Sequence, residues 1–185
     1  MLMSEINNRE TEALHRDDPL CGAAGACALV LALNKPVYPV YIWFLAESAF
    51  RLSLMAALTM PLYLVVWYLS RRGRSLAARL GMVLVGLADT LVIAFILGDE
   101  SNTLAFLFAC IMLAGLVFYR TEVWLSRGLI AAIFVLFVAL EGRIGGPLMA
   151  VAPGDMQNIA YLNITGAAAL AAFMMLRFPR PLRDV

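Results

Sequence analysis

Long apolar runs alternate with short polar breaks from residue 20 to residue 176, and arginine gathers at every second break. A helix needs about 20 apolar residues to cross a bilayer core, and cytoplasmic loops retain the Lys/Arg excess. The pattern therefore predicts an all-α membrane protein, a six-transmembrane-helix bundle with both termini cytoplasmic. The runs cover residues 20–34, 52–70, 76–98, 103–119, 129–140 (extensible back to Val123) and 158–176. The first is short, about 22 Å at 1.5 Å per residue. Lys35 and Pro36 are expected to end it near Asn34. Residues 37–50, with Pro39, Tyr38, Tyr41 and Trp43, are expected to lie along the outer interface, where amphipathic rings settle. Pro61 should kink the second run and free the carbonyl of Ala57.

Charge sets the orientation. Eleven arginines, from Arg9 to Arg183, fall in inner segments, against Lys35, Arg51 and Arg143 in outer ones. Were the first run not to cross, the count would weaken to nine against five, so six spans are preferred. Residues 1–19 form a polar cytoplasmic N-terminal segment, too acidic for a signal peptide, with a short surface helix expected over residues 11–16. Residues 20–176 form the six-span domain and residues 177–185 a cytoplasmic basic tail. The outer loops carry Asp99, Glu100 and Glu141, and residues 145–154 are rich in turn formers. No internal repeat supports a nested transporter architecture.

Composition agrees with the pattern. Hydrophobic residues make up 63% and charged residues 15%, against roughly 45–50% and 25% in a soluble domain. Lipid must cover the surplus, and a multi-pass protein of a bacterial inner membrane is expected. A net charge of +1 argues against nucleic acid as a partner. The partners expected are the bilayer and a protein, another chain or a second copy; no ligand can be named. Cys21, Cys27 and Cys110 lie in apolar runs and read as buried hydrophobes.

Chemistry at membrane depth needs ligands or titratable groups there. The one histidine, His15, lies in the N-terminal segment, so a bis-histidine haem site is not expected. The one lysine, Lys35, is placed at an outer helix end, which argues against a retinal Schiff base. No metal-ligand spacing and no nucleophile–base pair occurs within a run. No cofactor and no enzymatic activity are expected.

Asp89 is the acidic residue near the middle of a run, where a carboxylate costs about 2.5–3.5 kcal/mol on insertion scales. Thr59, Cys110 and Thr165 fall near its level, as does the Ala57 carbonyl, so Asp89, Thr59 and Thr165 form the candidate intramembrane polar site. Alone at that depth, the carboxyl is expected to be protonated. It would act either as a ligand contact or protonation switch, or as an interhelical hydrogen bond that fixes packing. Asn34, Asn102 and Asn163 read as caps or interhelical bonds. Glu122 is expected to pair with Arg120 or Arg127 at the surface. Arg71, Arg72, Arg74 and Arg79 read as topology determinants beside anionic headgroups, and Trp43, Trp67 and Trp124 as interface residues.

The order of signals resembles the six-helix membrane sensor region at the N-terminus of some bacterial histidine kinases and nucleotide cyclases. The resemblance rests on the turn Leu69-Ser70-Arg71-Arg72-Gly73, on Ala78-Arg79 opening the third span, and on the polar loop of residues 98–102 before Phe106 and Phe108. It continues in the Tyr119-Arg120 turn and in Tyr161-Leu162-Asn163 at the start of the last span. It implies sensing of a lipid, a small molecule or the membrane state, with a helix movement passed to an output domain. Pro179 and Pro181 depart from the family by breaking the helix that would lead there, so no output domain of its own is expected. A sensor-like or accessory signalling module is thus the leading expectation. A small transporter or channel-like carrier using Asp89 and a membrane subunit of an enzyme complex are the alternatives.

Overall fold

The computed structural model describes residues 18–178. The polar N-terminal segment other than Asp18 and Pro19, and the basic tail beyond Phe178, lie outside the described residues. Helices account for the fold, and no strand occurs among the described residues. Five helical stretches are long and apolar enough to cross a membrane: Pro19–Leu45, Glu47–Arg71, Ser75–Leu97, Arg120–Leu140 and Pro153–Arg177. Thr103–Leu116 is a shorter apolar helix, about 21 Å long and so below a ~30 Å hydrocarbon core.

Helix α1 (Pro19–Leu45) differs from the expectation. It starts with Asp18 as N-cap and Pro19 in its first turn, and it passes unbroken through Pro36 and Pro39. The segment of residues 37–50 is therefore not an interfacial strip: most of it is the last two turns of α1. Each proline removes one helical donor, yet Pro39 and Ile42 are buried against neighbours, so packing holds the helix together where propensity alone would end it. At about 40 Å, α1 exceeds the core thickness, which leaves Tyr41, Trp43 and Phe44 exposed at its C-terminal end.

The next stretch is interrupted. Helix α2 (Phe50–Ala56) gives way to a 3-10 turn at Ala57–Thr59, and α3 (Met60–Arg71) resumes with Pro61 in its first turn. The Ala57 carbonyl is not left open for Asp89, because the Met60 N–H takes it. Helix α4 (Ser75–Leu97) ends at Gly98, whose φ of 77° turns the chain so closely against residues 145–147 that a side chain would clash. After a turn through left-handed Asn102, α5 (Phe106–Leu116) buries Leu107, Ala109, Cys110, Leu113 and Ala114, as befits a short helix inside a core. Helix α6 (Val123–Leu140) packs mainly on α5 and buries only Ile133. Helix α7 (Pro153–Arg177) closes the bundle against α5 and α1.

Small residues decide the central contact. Ala24, Ala28 and Ala32 line α1, and at Gly25 a Cβ would lie 2.3 Å from Ser70 Oγ of α3. Backbones this close gain dispersion without large side chains, the usual device where lipid supplies no hydrophobic drive between helices. Helices α1 and α4 begin at one end of the bundle, which carries Arg71, Arg72, Arg74, Arg120 and Arg177. The other end carries Gly98, Asp99 and the loop of residues 141–152.

Candidate functional site

Lys35 sits on the buried side of α1 because α1 continues past it. Counting turns, Lys35 lies about 24 Å from Pro19 and Asp89 about 21 Å from Ser75, so the two reach the same depth on neighbouring parallel helices. Lys35 Nζ donates to Asp89 Oδ1 at 2.5 Å, and both side chains are about nine-tenths buried. Lys35 is thus not a helix-end charge, and Asp89 is not alone: the two form an ion pair across α1 and α4. Thr59 Oγ1 donates to the same carboxylate oxygen at 2.6 Å, and Tyr63 OH donates to Oδ2 at 2.8 Å. Thr59 stands in the 3-10 turn and Tyr63 one turn into α3, so the break before Pro61 brings both to one carboxylate. Four groups from three helices satisfy one another at depth.

Of the sequence-predicted site, Asp89 and Thr59 meet and Thr165 does not. Thr165 is exposed on the outer face of α7, and the α7 residue that turns inward is Asn163, 3% exposed. Asn163 Nδ2 donates to the Ser101 carbonyl at 2.9 Å and to Thr103 Oγ1 at 3.0 Å, and Tyr38 OH donates to Asn163 Oδ1 at 3.4 Å. Cys110 and Thr90 stand beside the pair on the α5 side. These side chains, with Leu31, Met82, Leu113, Leu170 and Met174, line a partly open cavity of about 90 Å³. The cavity is polarised along the bundle. Tyr38, Thr103 and Asn163 lie toward the Gly98 end, Lys35 and Asp89 at mid-wall, and the wall toward the arginine-rich end is aliphatic and Met-lined. The ground on which a retinal Schiff base was not expected, a lysine placed only at a helix end, does not hold, because Lys35 is buried beside Asp89.

A second polar network ties the arginine-rich end. Arg79 is 3% exposed and grips Glu122 with both terminal nitrogens, at 2.5 and 2.9 Å. It also donates to the Val117 carbonyl at 3.1 Å and to Ser75 Oγ at 3.0 Å, with its guanidinium over the Tyr119 ring at 4.7 Å. Arg79 is therefore a buried cross-link rather than a headgroup contact, and Glu122 pairs with it across the fold. Arg71, Arg72 and Arg74 do lie exposed at that end. Asp18 joins the network by accepting from Tyr119 OH at 2.5 Å, from the Leu20 and Cys21 N–H groups at 3.0 Å, and from Ser75 Oγ. Partial burial raises the Asp18 carboxyl, but bonds from Ser75, Tyr119 and the Cys21 N–H, with the charge of Arg79, outweigh it and hold its pKa below the usual carboxylate value.

Among the described residues no group of three His, Cys, Asp or Glu side chains is placed to hold a metal ion. Comparison with protein-family models, with curated proteins and with solved structures finds no match to this chain.

Proposed function

We propose that this chain is a six-span integral membrane protein of a bacterial inner membrane, with both ends cytoplasmic, and that it acts as a sensor-like or accessory signalling module rather than as an enzyme. The observation that carries the reading is the Lys35–Asp89 pair, buried at mid-depth on the wall of a cavity and bonded by Thr59 in a helix break. Charged groups at that depth are costly and usually mark function. A 3-10 interruption within a helix often marks a hinge. A change at the pair would reach α3 through Thr59 and Tyr63, and α3 ends at the arginine-rich inner turn. The resemblance to kinase and cyclase sensor regions supports the same reading.

Two measurements test it. Cysteines or reporters at Ser4, Glu100 and Val185 are expected to report inside, outside and inside. Spin labels at Arg72 and Arg127, both exposed at the inner end, are expected to change their mutual distance when Asp89→Asn weakens the pair. Unchanged distances in a folded variant would remove the signalling role.

The helix break beside a charged pair also favours a small carrier, since discontinuous helices build many transport sites. That reading expects reconstituted protein to dissipate an imposed pH gradient in an Asp89-dependent way.

A further inference from the structure

The Lys35 ammonium carries three N–H donors, and one is used, on Asp89 Oδ1. The carboxylate it faces is already supplied by Lys35, Thr59 and Tyr63. The unsaturated partner in this site is therefore a donor, and it borders the cavity of about 90 Å³. That volume is the room of roughly three water molecules, and less than the ~150 Å³ that admits a benzene ring. Beyond the ammonium, the wall toward the arginine-rich end is formed by Met82, Leu113, Leu170 and Met174.

We propose that this cavity binds a small neutral amphiphile whose alcohol or carbonyl oxygen accepts from Lys35 Nζ, with its alkyl end among Met82, Leu113, Leu170 and Met174. Charge selects neutrality. Lys35 and Asp89 balance each other, so an anion or a cation would leave a net charge at membrane depth. Donor count selects an acceptor head, and volume limits the molecule to roughly three or four heavy atoms. Waters alone would satisfy the ammonium but would leave the aliphatic wall facing water, whereas an amphiphile satisfies both ends. The proposal rests on the reading of the pair as the responsive site and supplies the class of molecule it responds to.

The test uses the full chain in lipid nanodiscs with ¹⁵N-labelled lysine. Lys35 is the chain's one lysine, so its Nζ gives a single resonance. Titration with ethanol and with acetone is expected to move that resonance saturably, with an apparent Kd on the order of 10 mM, about what so few heavy atoms can supply. Acetate, ethylammonium and propane are expected to give no saturable shift. Ala109→Met fills the cavity from α5 and should abolish saturation while the free resonance persists. A linear shift with ethanol, or the same response in Ala109→Met, would mean bilayer partitioning and overturn the proposal. So would equal binding of acetate. If Ala109→Met does not fold, the probe series decides by itself. The resonance reports the cavity whichever way the chain is inserted, so a failed topology map counts against the six-span reading alone, and a silent titration against the ligand alone.

Discussion

Removing Asp89 and removing Lys35 should have unequal costs, and the asymmetry follows from which partners each leaves behind. Asp89→Leu strands the Lys35 ammonium in a site about nine-tenths buried and also deprives Tyr63 OH, on a residue 2% exposed, of its acceptor. Breaking a buried pair from one side costs about 3–5 kcal/mol. An orphaned hydroxyl costs a further ~1–3 kcal/mol, tempered in a membrane by partners found in the unfolded state. Thr59 loses little, because its one hydroxyl proton can turn to the Ala56 carbonyl, 3.0 Å away. Lys35→Met is milder, because the carboxylate keeps the Thr59 and Tyr63 hydroxyls as donors. The double variant removes both charges and leaves only Tyr63 unpaired, so it should be at least about 1.5 kcal/mol more stable than Asp89→Leu alone. The assay is equilibrium unfolding in mixed micelles for the parent, both single variants and the double. If Asp89→Leu matches the parent, or if adding Lys35→Met brings no recovery, Lys35 and Asp89 are not a coupled buried pair.

Two further outcomes concern the arginine-rich end. Arg79→Lys keeps the charge but loses the planar fork that holds both Glu122 oxygens and the Val117 carbonyl, and should lower stability by about 1–2 kcal/mol in thermal unfolding; an unchanged midpoint would show that the bidentate geometry contributes nothing. Asp18 has a folded pKa below the ordinary aspartate value of 3.8, so its contribution is fully present above that value and is lost as pH falls through the folded one. Stability should therefore decline below about pH 4 by under ~1 kcal/mol, since the group is partly solvated, and Asp18→Asn should flatten that part of the profile.

The bundle itself was legible because apolar length and arginine placement are properties of local sequence. Helix boundaries in α4 and α6 and the break before Pro61 follow from the same local signals. What local reading missed was the fate of α1. A Lys-Pro pair followed by a second proline signals an end in water, where freed carbonyls find solvent. In a bundle no such competitor exists, and burial of Pro39 and Ile42 against neighbouring helices outweighs two lost donors. That one error moved Lys35 from the interface to mid-depth and left Asp89 without its partner. The signal that would have found the pair was charge balance: Lys35 is the sole lysine and Asp89 the sole acid flanked on both sides by apolar turns. The Thr165 error has a different origin. Asn163 and Thr165 are two residues apart, about 200° around a helix, and only one of them faces inward.

The two polar networks divide the work along the bundle axis. At the arginine-rich end Asp18, Ser75, Arg79, Tyr119 and Glu122 bind the start of α1, the start of α4 and the α5–α6 turn into one unit. Helix α3 is outside that unit, held there by the Ser70 hydroxyl donating to the Cys21 carbonyl at 2.8 Å and by close backbone packing at Gly25. At mid-depth the order is reversed: α3 supplies Tyr63, and the 3-10 turn just before it supplies Thr59, both on the carboxylate that Lys35 also holds. On the proposed signalling reading, a change in charge or occupancy at Asp89 is expected to act on α3 first, through a turn already departing from α-helical geometry, with α1 and α4 tied at the arginine-rich end. The exposed Arg71, Arg72 and Arg74 stand at the far end of that lever. This is why the spin-label pair that includes Arg72 is the decisive one, and why a label pair confined to α1 and α4 would be expected to stay still.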